Sequence, residues 1–113
     1  MMNKLQEIVV EKHKQVAIDK QLRPAEMLES TLYFNRKCAS IKEYINRSDK
    51  SGIISEIKKK SPALGAINTG IRVESLAAAY TAAGASALSV LTDSAFFGGC
   101  NSDLTAAREN TAI

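Results

Sequence analysis

Glu56 and Lys58 stand two residues apart in the run Ile53-Ile54-Ser55-Glu56-Ile57-Lys58. The run is short, rich in β-branched residues, and lies between Gly52 and Pro62, which reads as a strand. Successive side chains of a strand point to opposite faces, so Ile54, Glu56 and Lys58 share one face while Ile53, Ser55 and Ile57 share the other. The second set suits packing under a helix. The first places a carboxylate beside an ammonium at the carboxyl end of a strand, where parallel sheets and barrels carry their active sites. Such a pair can hold and move protons and bind anionic groups. Periodicity alone does not separate it from a surface ion pair worth ~0–1 kcal/mol. Lys59 and Lys60 follow directly, and because an extended run cannot aim three successive side chains at one site, these two are expected to be solvated or loop-facing.

Other reactive residue types offer less. His13 is the only histidine, set among Glu11, Lys12 and Lys14 with no ligand or nucleophile partner in view, and reads as a solvated surface residue. Cys38 and Cys100 have no zinc-site spacing and no secretory context, and read as free thiols. Arg36 and Lys37 precede Cys38, yet no His or Asn partner marks it as a nucleophile, and it reads as an ordinary structural cysteine.

The elements that must position Glu56 and Lys58 follow from the rest of the chain. From Asn3 to about Lys20, Leu5, Ile8, Val9 and Val16 recur at mostly helical spacing between charged residues, predicting an amphipathic helix. Pro24 suits the first turn of a second helix reaching about Ser30, since a helix start leaves its N–H unpaired anyway. Ser40-Ile41-Lys42-Glu43 has capping-box spacing and opens a third helix. The character changes at Ser51-Gly52, where the strand begins, and glycine and proline then mark a loop as far as Gly70. Val73 to Ala83 is an alanine-rich helix with Leu76, Ala77 and Tyr80 on one stripe, closed by Gly84 in the left-handed position. A second strand, Ala87 to Thr92, leads through Phe96-Phe97-Gly98-Gly99 into helical sequence from Ser102 to about Glu109. Thr111-Ala112-Ile113 reads as the opening of a third strand. Strands alternating with helices imply βαβ crossovers and a parallel sheet covered by helices, an α/β fold.

Bulk properties fit that class and exclude others. The 113 residues are 45% hydrophobic and 24% charged, as in a globular protein of one small domain. A formal charge of +3, from 15 basic and 12 acidic residues, is too mild for a nucleic-acid module and fits a small anionic substrate. No apolar run approaches the ~20 residues that span a bilayer, and the start lacks the apolar core of a secretory signal. The expectation is a cytoplasmic protein without nucleic-acid or membrane partners.

Two segments narrow the reading. Glu56-Ile57-Lys58-Lys59-Lys60-Ser61-Pro62-Ala63-Leu64-Gly65 resembles the first-strand signature of the indole-3-glycerol phosphate synthase family, Glu-x-Lys-x-x-Ser-Pro followed by glycine. Ala87-Leu88-Ser89-Val90-Leu91-Thr92-Asp93, running into Phe96-Phe97-Gly98-Gly99, is similar to the family's second-strand segment. The helical stretch ahead of the first strand also resembles the family, so the likeness covers essentially the whole chain. It implies a (β/α)₈ barrel preceded by helices, with residues 1–50 as the extension and 51–113 as the start of the barrel. It also implies a reaction: 1-(2-carboxyphenylamino)-1-deoxyribulose 5-phosphate loses carbon dioxide and water as its aromatic carbon attacks the ketone, with no metal or organic cofactor.

Carried onto this chain, the resemblance makes Lys58 the first-strand active-site lysine, touching the substrate's anionic groups and taking part in catalysis. Glu56 becomes its catalytic carboxylate partner. Ser61 falls near the substrate carboxylate, and Pro62 would hold the turn. Leu91 and Phe97 would wall the anthranilate ring, where a flat aromatic group gains from buried contact; Leu91 is equally readable as a core residue.

Ala63 stands where the family commonly has serine. A (β/α)₈ barrel needs about 250 residues, so 113 supply two βα units after the extension, truncated at about strand three. The family's Lys-Asp-Phe motif, bearing the lysine usually assigned as general acid, would begin a few residues beyond Ile113. The expectation is therefore a fragment or split subunit, inactive alone, that pairs with the missing part of the barrel. Three alternatives stay open: a neighbouring phosphate-substrate barrel such as phosphoribosylanthranilate isomerase, a non-catalytic assembly module, and, weakest, a basic nucleic-acid module.

Overall fold

The structure is a computed structural model and describes residues 1–113. The chain forms two compact units, Met1–Cys38 and Ala39–Ile113.

The first unit is helical. Helix α1 spans Lys4–Leu22, and Asn3 opens it with a capping box: the Asn3 carboxamide accepts from the Gln6 N–H, and the Gln6 side chain accepts from the Asn3 N–H, both at 2.9 Å. The helix runs two residues past the predicted Lys20 because its breaker is Pro24, whose ring disfavours helical geometry only at Arg23. Pro24 itself is the N-cap of α2, Ala25–Glu29, one position ahead of the expected first turn. No residue of α1 or α2 is buried, so the stripe of Leu5, Val9 and Val16 stays exposed; His13 is exposed as well.

The second unit opens with α3, Ile41–Asn46, where the Ser40 hydroxyl accepts from the Glu43 N–H at 3.2 Å. Strand β1, Ile54–Ile57, pairs in parallel with β4, Ala87–Val90, with Ile54 opposite Ala87 and Ile57 opposite Val90. Helix α4, Val73–Ala82, makes the crossover between them. Both strands are shorter than the six residues predicted, since a two-stranded ladder is only as long as its common overlap. At its amino end the ladder is stitched to the α4–β4 turn. The Ser51 N–H donates to the Gly84 carbonyl at 2.8 Å, and the Gly52 N–H donates to the hydroxyl of buried Ser86 at 2.9 Å.

Helices α4 and α6, the latter Asn101–Glu109, cover one face of the sheet. The core there joins Ile57, Val73, Ala77 and Ala107, flanked by half-buried Leu76, Tyr80, Leu88 and Val90. Ile57 is thus the strand residue that packs under the helices, 2% exposed. Ile53, assigned by alternation to the same face, is 59% exposed because it precedes the ladder.

The loop after β1 holds structure that turn residues alone did not reveal. Strand β2, Lys60–Ser61, pairs antiparallel with β3, Gly65–Ala66, across the turn containing Pro62. The carbonyl of Lys59 accepts from the N–H groups of Ile67 and Asn68, which closes this excursion back onto the end of β1. After β4, a single turn of helix, α5, spans Ser94–Phe97, its start capped by the Asp93 carboxylate, which accepts from the Phe96 N–H at 2.6 Å. Residues 111–113 carry no strand pairing; a strand needs a ladder partner, and here Thr111 instead shares a 2.6 Å hydroxyl–hydroxyl hydrogen bond with Thr81 of α4. No helix is long and apolar enough to cross a membrane.

Candidate active site

Glu56 lies on β1 and Lys58 is the first residue past its end, both on the sheet face opposite the helices. Their side chains meet as the alternation required, with the Lys58 Nζ 3.2 Å from the Glu56 Oε1. Each keeps about a third or more of its side chain in solvent, 34% for Lys58 and 43% for Glu56. An ion pair so placed contributes ~0–1 kcal/mol, so stability does not explain it. The arrangement leaves both groups open to a small molecule.

Phe97 comes to the same place from a different segment. At the end of α5 it turns its ring toward Lys58, whose Nζ stands 5.8 Å from the ring centroid, within cation–π range. The loop can hold it there because of two glycines. Gly98 takes the left-handed conformation, φ 68°, that ends α5, and Gly99 lies flush against the backbone of Leu91, where a Cβ would come 1.8 Å from the Leu91 carbonyl oxygen. Leu91 follows β4 directly and is half-buried; one step beyond the Ile57–Val90 pair, it takes the register position next to Lys58. Glu56, Lys58, Leu91 and Phe97 therefore gather at the carboxyl end of the parallel pair.

Ser61 is placed differently. Its hydroxyl oxygen accepts from the Leu64 N–H at 3.1 Å, which holds the β2–β3 turn, and the hydroxyl proton remains to be donated. Ser61 thus bonds to its own turn rather than to Glu56 or Lys58.

The expectation for Lys59 needs correcting. Lys59 is not solvated: its Nζ reaches 2.9 Å and 3.1 Å from the two carboxylate oxygens of Asp103 on α6, and the two side chains are only 21% and 13% exposed. Asp103 also accepts from the Cys100 N–H at 3.2 Å, capping its own helix. The Lys60 stem packs along Gly98, close enough that a Cβ there would meet it at 3.1 Å. Alternation correctly sent Lys59 away from Lys58, but nothing local links it to a carboxylate 44 residues along the chain. The Cys100-x-x-Asp103 spacing was the one available hint that Asp103 is a cap.

Both cysteines are exposed free thiols.

Residues 5–113 match the profile of the family described as indole-3-glycerol phosphate synthase. This chain belongs to that family. The synthase of Bacteroides thetaiotaomicron is 42% identical over 104 residues, which cover 92% of this chain and 40% of that protein. The synthase of Opitutus terrae is 41% identical over 108 residues, 93% of this chain and 40% of its own length. The synthase of Lactococcus lactis is 36% identical over 99 residues, covering 87% and 38% respectively. The chain thus spans about 40% of the length of the synthases it matches. The two segments that carried the resemblance, Glu56 to Gly65 and Ala87 to Gly99, both fall inside the matched residues.

Proposed function

We propose that this chain provides the first-strand part of an indole-3-glycerol phosphate synthase active site, with residues 1–50 as a helical extension and 51–113 as the opening βα units of a (β/α)₈ barrel. The substrate is 1-(2-carboxyphenylamino)-1-deoxyribulose 5-phosphate, and the reaction forms the indole ring with loss of carbon dioxide and water. The observation that carries the reading is the meeting of Glu56, Lys58 and Phe97 at the carboxyl end of a parallel strand pair. An ammonium beside an aromatic wall suits a substrate that joins a carboxylate to a flat ring. Lys58 binds the anionic part and polarises the reacting ketone, and Glu56, 3.2 Å away, holds that ammonium in place and exchanges protons with it. Phe97 and Leu91 take the anthranilate ring, and the free Ser61 hydroxyl proton is donated to the substrate carboxylate.

A chimera tests this. Residues 1–113 are joined to the remaining part of the Bacteroides thetaiotaomicron synthase, and turnover is followed by indole fluorescence. An active chimera that loses its rate on Lys58→Met supports the reading; one whose Lys58→Met variant keeps full rate overturns it.

A second reading, an assembly module without turnover, is favoured by one feature. The β1–β4 sheet has only two strands, so each offers an unpaired edge to another chain. Stable association with the rest of a synthase, without activity, would select it.

A further inference from the structure

We infer that the Lys59–Asp103 ion pair is a clamp that sets the approach of Phe97 to Lys58, making Lys59 and Asp103 positioning residues of the candidate site. The inference rests on reading Glu56, Lys58 and Phe97 as that site.

Glu56 lies on β1 and Lys58 directly follows it, whereas Phe97 belongs to the loop after β4. The ladder joins the two segments at the β4 end of that loop, where the Leu91 N–H donates to the Ile57 carbonyl at 3.3 Å, so the approach of Phe97 depends further on what holds the loop's other end. The β4 loop is tied to itself at its near end: Gly99 donates its N–H to the Asp93 carbonyl at 2.8 Å, the Asp93 carboxylate caps α5, and Gly99 is seated on Leu91. Helix α6 begins immediately afterward at Asn101. Asp103 fastens both ends of this arrangement. Through the Cys100 N–H it fixes the start of α6, four residues from Phe97 at the nearest, and through Lys59 it ties that start to the residue next to Lys58.

Three further observations favour a clamp over an incidental contact. The pair is more covered than Lys4–Glu7, Lys14–Glu11, Arg47–Asp49 or Lys58–Glu56, each of which exposes a third or more of both side chains. Asp103 uses both carboxylate oxygens on Lys59, a contact less easily made by two freely moving side chains. The backbone of Lys59 is held as well, since its carbonyl accepts from Ile67 and Asn68. The three consecutive lysines are therefore divided by their surroundings. Lys58 faces the candidate site, Lys59 is committed to Asp103, and Lys60 lays its stem along Gly98 as a second, apolar link to the same loop.

The test uses the isotopically labelled 113-residue chain. The ring of Phe97, with the Lys58 Nζ over it at 5.8 Å, is expected to shift the Lys58 Cε protons upfield in the NMR spectrum, and Phe97→Leu defines the unshifted position. Lys59→Met and Asp103→Asn are each expected to abolish most of that shift and the Lys58–Phe97 cross-relaxation, with the amide signals of Val73, Ala77 and Ala107 staying in place. Lys59→Arg, which keeps the charge, is expected to retain them. If both the methionine and asparagine variants keep the full shift, the clamp is wrong. If the core amides move together with the Lys58 signals, the pair only supports the fold and the inference is equally overturned. Should either variant fail to fold, the reversed pair Lys59→Glu with Asp103→Lys decides, retention of the shift supporting the clamp and its loss in a folded protein overturning it. This readout needs no turnover, so it can fail while the chimera assay succeeds, and the reverse.

Discussion

The Lys58 ammonium stands 5.8 Å from the centre of the Phe97 ring while remaining 3.2 Å from the Glu56 carboxylate. One cation therefore meets an anion on the strand it follows and an aromatic face from the loop after β4. Both contacts are partly open to solvent, and each is worth no more than ~1 kcal/mol in that setting.

The contrast between stability and chemistry gives the first prediction. Glu56→Gln in the 113-residue chain is expected to change the free energy of unfolding by less than ~1 kcal/mol, read by urea titration. In the active chimera the same substitution is expected to lower kcat by roughly 10²–10⁴, the usual scale for a lost acid–base group. The 113-residue chain alone is expected to show no turnover. Indole fluorescence from the purified chain would refute that last statement, and an unchanged kcat would refute the role of Glu56.

Alternation along Ile53 to Lys58 was enough to bring Glu56 and Lys58 together and to send Ile57 into the core, because both follow from the local period of a strand. Likewise Ser40 as a cap and Gly84 at the end of α4, with φ 97°, are consequences of backbone groups left unpaired at helix ends. Lys59 shows where such reading stops. Its partner is set by where α6 comes to rest, which depends on the crossover and on Gly99 fitting against Leu91. The β2–β3 pair was hidden for a different reason: two residues per strand are too few to display a period. Asn3-x-x-Gln6, by contrast, has capping-box form that is legible in the sequence itself.

Gly99 offers a sharper test of the loop. A methyl group at this position would overlap the Leu91 carbonyl, which belongs to backbone and cannot rotate aside. Gly99→Ala is expected to cost about 1–3 kcal/mol as an overpacking change, lowering the urea midpoint. It should also shift the Phe97 ring signals, since that ring is carried on the displaced loop. A variant with wild-type stability and unchanged Phe97 signals would mean that the loop is not held by this contact.

Ile57 tests whether the second unit has one core. It is 2% exposed and packs with Val73, Ala77 and Ala107, so it joins β1 to both covering helices. Ile57→Ala is expected to remove about 2–5 kcal/mol. In a core this small that approaches the whole stability of a small domain, and loss of the folded amide pattern for residues 39–113 is the expected result. Ile53→Ala, at 59% exposed, is the matched control and should shift the urea midpoint little.

Asp49 supplies a prediction in pH. Its carboxylate accepts from the Arg47 Nε at 2.9 Å and from Nη2 at 2.6 Å, and this hydrogen bonding, followed by the attraction of the Arg47 charge, holds its pKa below the ordinary 3.8. A carboxyl depressed in the folded chain binds its proton less readily there than in the unfolded chain. Its contribution to stability is thus present above pH 3.8 and is lost as the pH falls below that value through the folded-state pKa. The pair lies in water, so the effect is small and weakens with added salt. An NMR titration of the Asp49 carboxyl carbon should give a midpoint below that of the same residue in Arg47→Met; equal midpoints would show that the guanidinium does not hold it in solution.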